Sequence, residues 1–115
     1  PQGRKGPKFF AFPNFRIFME WNNSFMYSTT AAYLANRLKG DPEYITENPA
    51  DILKVEEMII LQKLLRRLGY QVGRIDGILG ANTRQSVRKV QMRLGLPADS
   101  WPTIELLQML ATKFN

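Results

Sequence analysis

Leu61-Gln62-Lys63-Leu64-Leu65-Arg66-Arg67-Leu68-Gly69-Tyr70, followed by Gly73-Arg74-Ile75-Asp76-Gly77-Ile78-Leu79-Gly80-Ala81-Asn82-Thr83, is the stretch that decides the fold. Its first half has helical periodicity. Val55, Met58, Ile59, Leu61, Leu64, Leu65 and Leu68 form a broad apolar stripe opposite Lys63, Arg66 and Arg67, and Gly69 is placed to end the helix. The second half is a loop. Gly69, Gly73, Gly77 and Gly80 permit positive φ or close backbone approach, which lets a short segment reverse direction over the helix ends. Asp76 can accept loop N–H bonds as an Asx-type cap, and Thr83 can do the same for the next helix. The glycines, Asp76 and Thr83 therefore read as architecture. Gln62 and Gln91, one turn from core residues, are placed to tie helix to loop.

Downstream, a second helix is expected over about residues 82–94, with Val87, Val90 and Leu94 on one face and Arg84, Arg88, Lys89 and Arg93 elsewhere. Gly95 closes it. After Leu96-Pro97-Ala98-Asp99-Ser100, Thr103 is a good N-cap for a third helix, with Glu105 near its positive end and Leu106, Leu107 and Leu110 toward the core. There is an internal echo: Leu68-Gly69, Asp76-Gly77 and Thr83 parallel Leu94-Gly95, Asp99-Ser100 and Thr103.

Upstream, the first of these helices starts either at Asn48, with Pro49 in its first turn, or a turn later near Lys54. Residues 43–49 are polar and read as a linker, preceded by the breaker Gly40-Asp41-Pro42. Before that, Ser24 or Ser28 can cap a helix to about Lys39 carrying Tyr27, Ala31, Leu34 and Leu38. Phe9, Phe10, Phe12, Phe15, Phe18, Trp21, Phe25, Tyr27 and Tyr33 crowd this amino-terminal part, too dense for a free loop. The expected fold is all-α, a three-helix bundle over residues 49–115 preceded by an aromatic segment, residues 1–48, with one further helix.

The composition, 44% hydrophobic and 23% charged, is that of a globular chain. The absence of cysteine and histidine excludes disulfides, thiol nucleophiles, imidazole bases and the usual zinc clusters. The formal charge of +6 suits an anionic partner but equally a well-solvated surface. The opening residues contain no apolar run long enough to span a membrane, so any export signal is expected upstream of Pro1.

The quoted stretch, with Val87 through Gln91 and Gly95-Leu96-Pro97-Ala98-Asp99, resembles the peptidoglycan-binding domain family over about residues 55–111. The resemblance implies a three-helix module that holds an attached hydrolase or lyase on murein without chemistry of its own. Tyr70 then has two readings, a sugar-stacking ring or a loop anchor. Trp101, beside Pro102, is expected to be an exposed carbohydrate platform or a cover for the third helix.

Phe10-Ala11-Phe12-Pro13-Asn14-Phe15, Trp21-Asn22-Asn23-Ser24 and Tyr27-Ser28-Thr29-Thr30-Ala31-Ala32-Tyr33 resemble the end of the catalytic domain of the B-type lytic murein transglycosylases. The resemblance implies that Asn22 and Tyr27 line sugar subsites, with Trp21 standing where the family often has tyrosine. The alternative keeps Trp21 and Tyr27 in a hydrophobic seam. It also implies cleavage between N-acetylmuramic acid and N-acetylglucosamine by one glutamic acid acting as acid and then base. Attack by the muramyl 6-hydroxyl leaves a 1,6-anhydro end, unlike the two-carboxylate scheme. That glutamate belongs upstream. Glu20 does not match its context, so the chain alone is expected to be inactive. No metal or organic cofactor is implied. The implied partners are glycan strands or stem peptides and an upstream catalytic domain, in the periplasm or cell envelope.

Two other readings compete. A basic second helix in a three-helix unit can mimic a helix-turn-helix nucleic-acid binder, although the glycine-rich loop before it is longer than the usual tight turn. Alternatively, the aromatic segment is a docking surface for another protein.

Overall fold

The computed structural model describes residues 2–114, so Pro1 and Asn115, the outer ends of the two expected domains, lie outside the described residues. The described residues form helices α1 (Phe15–Trp21), α2 (Phe25–Leu38), α3 (Val55–Arg67), α4 (Ala81–Arg93) and α5 (Ile104–Lys113), with no strand among them. The chain divides into two compact units, one over Gly6–Glu47 and one over Asn48–Asn115 that also takes in Gln2–Lys5. No helix among the described residues is long and apolar enough to cross a membrane.

The second unit is built on the stripe of α3. Met58, Leu61, Leu64 and Leu65 meet Val87 and Val90 of α4 and Leu106, Leu107 and Leu110 of α5, with Leu53 and Val72 closing the ends. Each such side chain contributes about 1.5–3 kcal/mol on burial, which is what holds three short helices together. Helix α3 takes the later of its two expected starts. The Lys54 N–H donates to Glu57 Oε2 at 2.7 Å, and Glu56 and Glu57 occupy the positive end of the helix. At its other end Gly69 adopts φ +84° and the Tyr70 N–H reaches back to the Leu65 carbonyl at 3.0 Å. Helix α4 ends in the same way, with Gly95 at φ +69° and the Leu96 N–H on the Gln91 carbonyl at 2.8 Å. The Thr103 hydroxyl caps α5 by accepting the Leu106 N–H at 3.3 Å.

Thr83 is not the cap expected of it. Gly80 occupies the N-cap position of α4, and Thr83 lies buried inside the first turn. Its hydroxyl donates to the Val72 carbonyl at 3.3 Å, so a polar group at the helix start has been drawn inward to hold the loop.

In the first unit α2 runs as expected from Ser24, whose Oγ accepts the Tyr27 N–H at 3.3 Å. The additional helix is α1. Pro13 and Asn14 interrupt the apolar pattern in sequence but fit the entry to a helix, where the first N–H groups lack intrahelical partners. Ser28 joins the two helices. It is fully buried, and its hydroxyl is within 3.0 Å of the Phe18 carbonyl and 2.8 Å of the Asn22 carbonyl. Phe9, Tyr33 and Tyr44 form a ring cluster with centroids 5.1–6.1 Å apart.

Candidate functional site

Two polar constructions dominate the interior of the second unit. In the first, buried Gln62 of α3 reaches into the loop before α4. Its Oε1 accepts the N–H groups of Asp76 (3.1 Å) and Gly77 (3.0 Å). Its Nε2 donates to Asp76 Oδ1 (3.3 Å), the Ile78 carbonyl (3.0 Å) and Thr83 Oγ1 (3.4 Å). Asp76 Oδ1 also takes the Ile78 N–H at 3.0 Å, the Asx turn expected from sequence. Gly77 sits at φ +76°.

In the second, Gln91 of α4 does the same before α5. Its Oε1 accepts the Ser100 N–H (3.0 Å), and its Nε2 donates to Asp99 Oδ1 (2.9 Å) and the Trp101 carbonyl (3.1 Å). Asp99 Oδ1 takes the Trp101 N–H at 3.0 Å. Ser100, at φ +62°, stands where Gly77 stands in the first. Asp76 precedes Ala81, and Asp99 precedes Ile104, by the same number of residues. The echo in the sequence is thus a pair of equivalent latches, each a glutamine on one helix holding the turn into the next.

Both carboxyls are held below their ordinary value of 3.8. At Asp76 the causes are the Ile78 N–H and then the Gln62 amide, opposed by desolvation and helped by the Arg74 charge. At Asp99 desolvation opposes ionisation, and the N–H groups of Trp101 and Arg4 with the Gln91 amide together outweigh it.

Of the two readings of Trp101, an exposed carbohydrate platform or a cover for the third helix, its burial speaks against the first. It is 8% exposed, its indole N–H donates to the Ala50 carbonyl at 2.9 Å, and the Arg84 guanidinium lies 5.7 Å from its ring centroid. The amino-terminal segment reaches this turn as well. Gly3 lies against the Trp101 Cβ, and the Arg4 N–H donates to Asp99 Oδ2 at 3.0 Å. Burial lowers the Arg84 pKa, although a guanidinium stays charged. Arg93 lies 6.0 Å from the Phe114 ring, so two of the four cations of α4 are spent on the unit's own aromatics. Tyr70 is half-buried and packs on the core.

In the first unit Trp21 and Tyr27 are exposed, their ring centroids 5.5 Å apart. Asn22 Oδ1 accepts the Ser24 N–H at 2.8 Å, so that oxygen builds the turn into α2. An apolar cavity of about 240 Å³ lies among Phe9, Phe10, Phe15, Phe25 and Tyr33. Sequence reasoning missed both this cavity and the segment over Trp101. Gly3, one of two glycines in the basic opening stretch, was a weak signal of the latter.

Short helices around a small core, interior amides spent on positioning loops, and aromatic faces left on the outside make this an all-α chain of two small helical units among the described residues. Residues 54–110 match the family model of the peptidoglycan binding domain, and residues 1–36 match that of the transglycosylase SLT domain. The chain carries a peptidoglycan-binding-family domain preceded by a transglycosylase-like segment, which places it among murein-related proteins. It is 37% identical over 62 residues to the spore cortex-lytic enzyme of Bacillus cereus, covering 52% of this chain and 24% of that one. It also superposes on crystal structures of SltB3 from Pseudomonas aeruginosa. The structure in complex with NAG-anhNAM-pentapeptide gives a TM-score of 0.76 at 39% identity, and the one with NAG-NAM-pentapeptide gives 0.74 at 38%. Each match covers 96% of this chain and 30% of SltB3, so the chain spans under a third of the length of these relatives.

Proposed function

We propose that the second unit, from about residue 49, binds murein and anchors to the cell wall, in the periplasm, a lytic transglycosylase whose catalytic domain ends in the first unit. The observation that carries this reading is the likeness of 96% of the chain to SltB3, a protein crystallised with peptidoglycan fragments. Trp21 and Tyr27 offer exposed faces for sugar rings, with Asn22 beside them. Tyr70 and Trp101 serve the second unit by packing. On this reading the cleaving glutamate is supplied by the upstream catalytic domain, and the chain binds without cutting.

Incubation of the purified chain with insoluble sacculi tests this. The chain is expected in the pellet at both low and high salt, with no release of anhydromuropeptides. A chain that stays in the supernatant at every salt concentration overturns the binding role. Replacing Trp21 or Tyr27 by alanine is expected to weaken retention without unfolding the protein, because both rings are exposed. Unchanged retention removes those two residues from the contact.

A further inference from the structure

The two latches differ in what lies on them. On the second, residues 2–5 run over the turn, and the contact has a defined chemistry. Asp99 Oδ1 belongs to the latch, while Oδ2 faces outward and accepts the backbone N–H of Arg4 at 3.0 Å. The preceding residue, Gly3, has φ +71°, and the Cβ of an L-residue there would come within 2.7 Å of the Trp101 Cβ and 2.8 Å of Asp99 Oδ2. The surface therefore accepts a turn of peptide in which a positive-φ residue, free of a side chain on the L side, comes just before the donated N–H. Glycine meets that demand, and so does a D-residue, which favours positive φ and directs its Cβ the other way.

Every atom that makes this demand has a counterpart on the first latch. Asp76 corresponds to Asp99 and Ile78 to Trp101. The nearest contacts to Gly3 are the Cβ and Cγ of Trp101 and a carboxylate oxygen of Asp99; isoleucine supplies a Cβ and γ-carbons, and Asp76 a carboxylate oxygen. Yet Ile78 is 66% exposed where Trp101 is 8% exposed. Beside it lies a cavity of about 240 Å³ lined by Arg74, Asp76, Ile78 and Asn82.

We propose that the face of Asp76 and Ile78, with its adjoining cavity, is a docking site for a peptide that turns at a D-residue, the murein stem peptide, and that residues 2–5 display the binding mode on the equivalent latch. The inference rests on the murein-binding reading and narrows it from the polymer to its peptide. Asp76 Oδ2 takes a backbone N–H that follows a D-residue, Ile78 packs against the peptide, and Arg74 and Asn82 meet its polar groups.

The test is a titration of the intact, isotope-labelled chain with the murein pentapeptide and with its all-L counterpart, followed by NMR. Saturating shifts are expected at the amides of Gly77, Ile78 and Asn82, with the all-L peptide at least about tenfold weaker. Asp76→Asn keeps an acceptor at Oδ1 for the latch but turns the outward oxygen into a donor, so it should lose at least about tenfold in affinity while remaining folded. Ile78→Glu, at an exposed position, gives a second variant expected to weaken binding should Asp76→Asn disturb the loop. Equal response to both peptides, shifts confined to other residues, or undiminished binding by both variants overturns the proposal. A sacculus pull-down separates the two levels. A chain that pellets while the pentapeptide leaves Ile78 unmoved retains the murein-binding role and loses this site, whereas a chain that does neither loses both.

Discussion

The latches at Gln62 and Gln91 share one polar skeleton but stand in different surroundings. In both, a buried amide holds an aspartate turn through the same atoms, so glutamine and aspartate fix the geometry. What surrounds the skeleton decides the remaining residues. Gly77 lies flush against α3, where a Cβ would come within 2.6 Å of Val55 Cγ1, and only glycine fits. Ser100 occupies the same left-handed conformation with a side chain. Gln62 also reaches Thr83 and a second loop N–H, which Gln91 does not match, so the first latch ties down more of its loop. A duplicated geometry therefore need not have duplicated sequence, and the residues that differ report the neighbours rather than the turn.

Removing each glutamine should break the comparison most visibly. Gln62→Met leaves two loop N–H groups without their acceptor in a buried setting and is expected to cost about 3 kcal/mol, against about 2 kcal/mol for Gln91→Met, measured by urea unfolding. Equal costs would mean that the extra bonds of the first latch contribute nothing. Gly77→Ala combines left-handed strain with overpacking on Val55 and should cost about 2 kcal/mol, whereas Ser100→Ala should stay within about 0.5 kcal/mol. Acid should weaken both latches. Because the folded values of Asp76 and Asp99 are depressed, their contribution is complete above the ordinary value of 3.8 and is lost as pH falls through the folded values. The urea midpoint is expected to fall below about pH 4. The fall should be shallower in Asp99→Asn, whose side chain does not titrate, and an unchanged slope would deny that aspartate its role. Gly3→Val should lift residues 2–5 from Trp101 at a cost of about 1 kcal/mol, seen as a red shift in indole fluorescence.

The helices of the second unit were legible because each signal was local: a leucine stripe at helical spacing, Gly69 and Gly95 as terminators, Thr103 as a cap. The latches were half legible. Gln62, Asp76 and the repeat could be named, but the pairing of amide with turn spans residues whose separation differs between the copies, so it had no fixed spacing to read. Thr83 misled because a threonine at a helix start looks the same whether its hydroxyl caps the helix or turns inward to Val72. Trp101 kept two readings because the residues that reach its turn, Gly3 and Arg4, lie almost a full chain length away. The proposed peptide face was not legible at all. Ile78 gains meaning only from its equivalence to Trp101, which the structure supplies.

The smallest expected effect probes the comparison from the opposite side. Ser100 is a non-glycine residue at positive φ, a conformation that costs an L-residue about 1 kcal/mol. Glycine removes that cost but adds freedom to the unfolded chain, which returns part of the gain. Ser100→Gly is therefore expected to stabilise by about 0.5 kcal/mol, the reverse in sign of Gly77→Ala at the matching position. The Ser100 N–H to Gln91 Oε1 survives the change, since it is a backbone donor, and its amide protection against hydrogen exchange should persist. Destabilisation, or loss of that protection, would show that the serine side chain holds the turn and that the two latches are alike in their bonds but not in what keeps them folded.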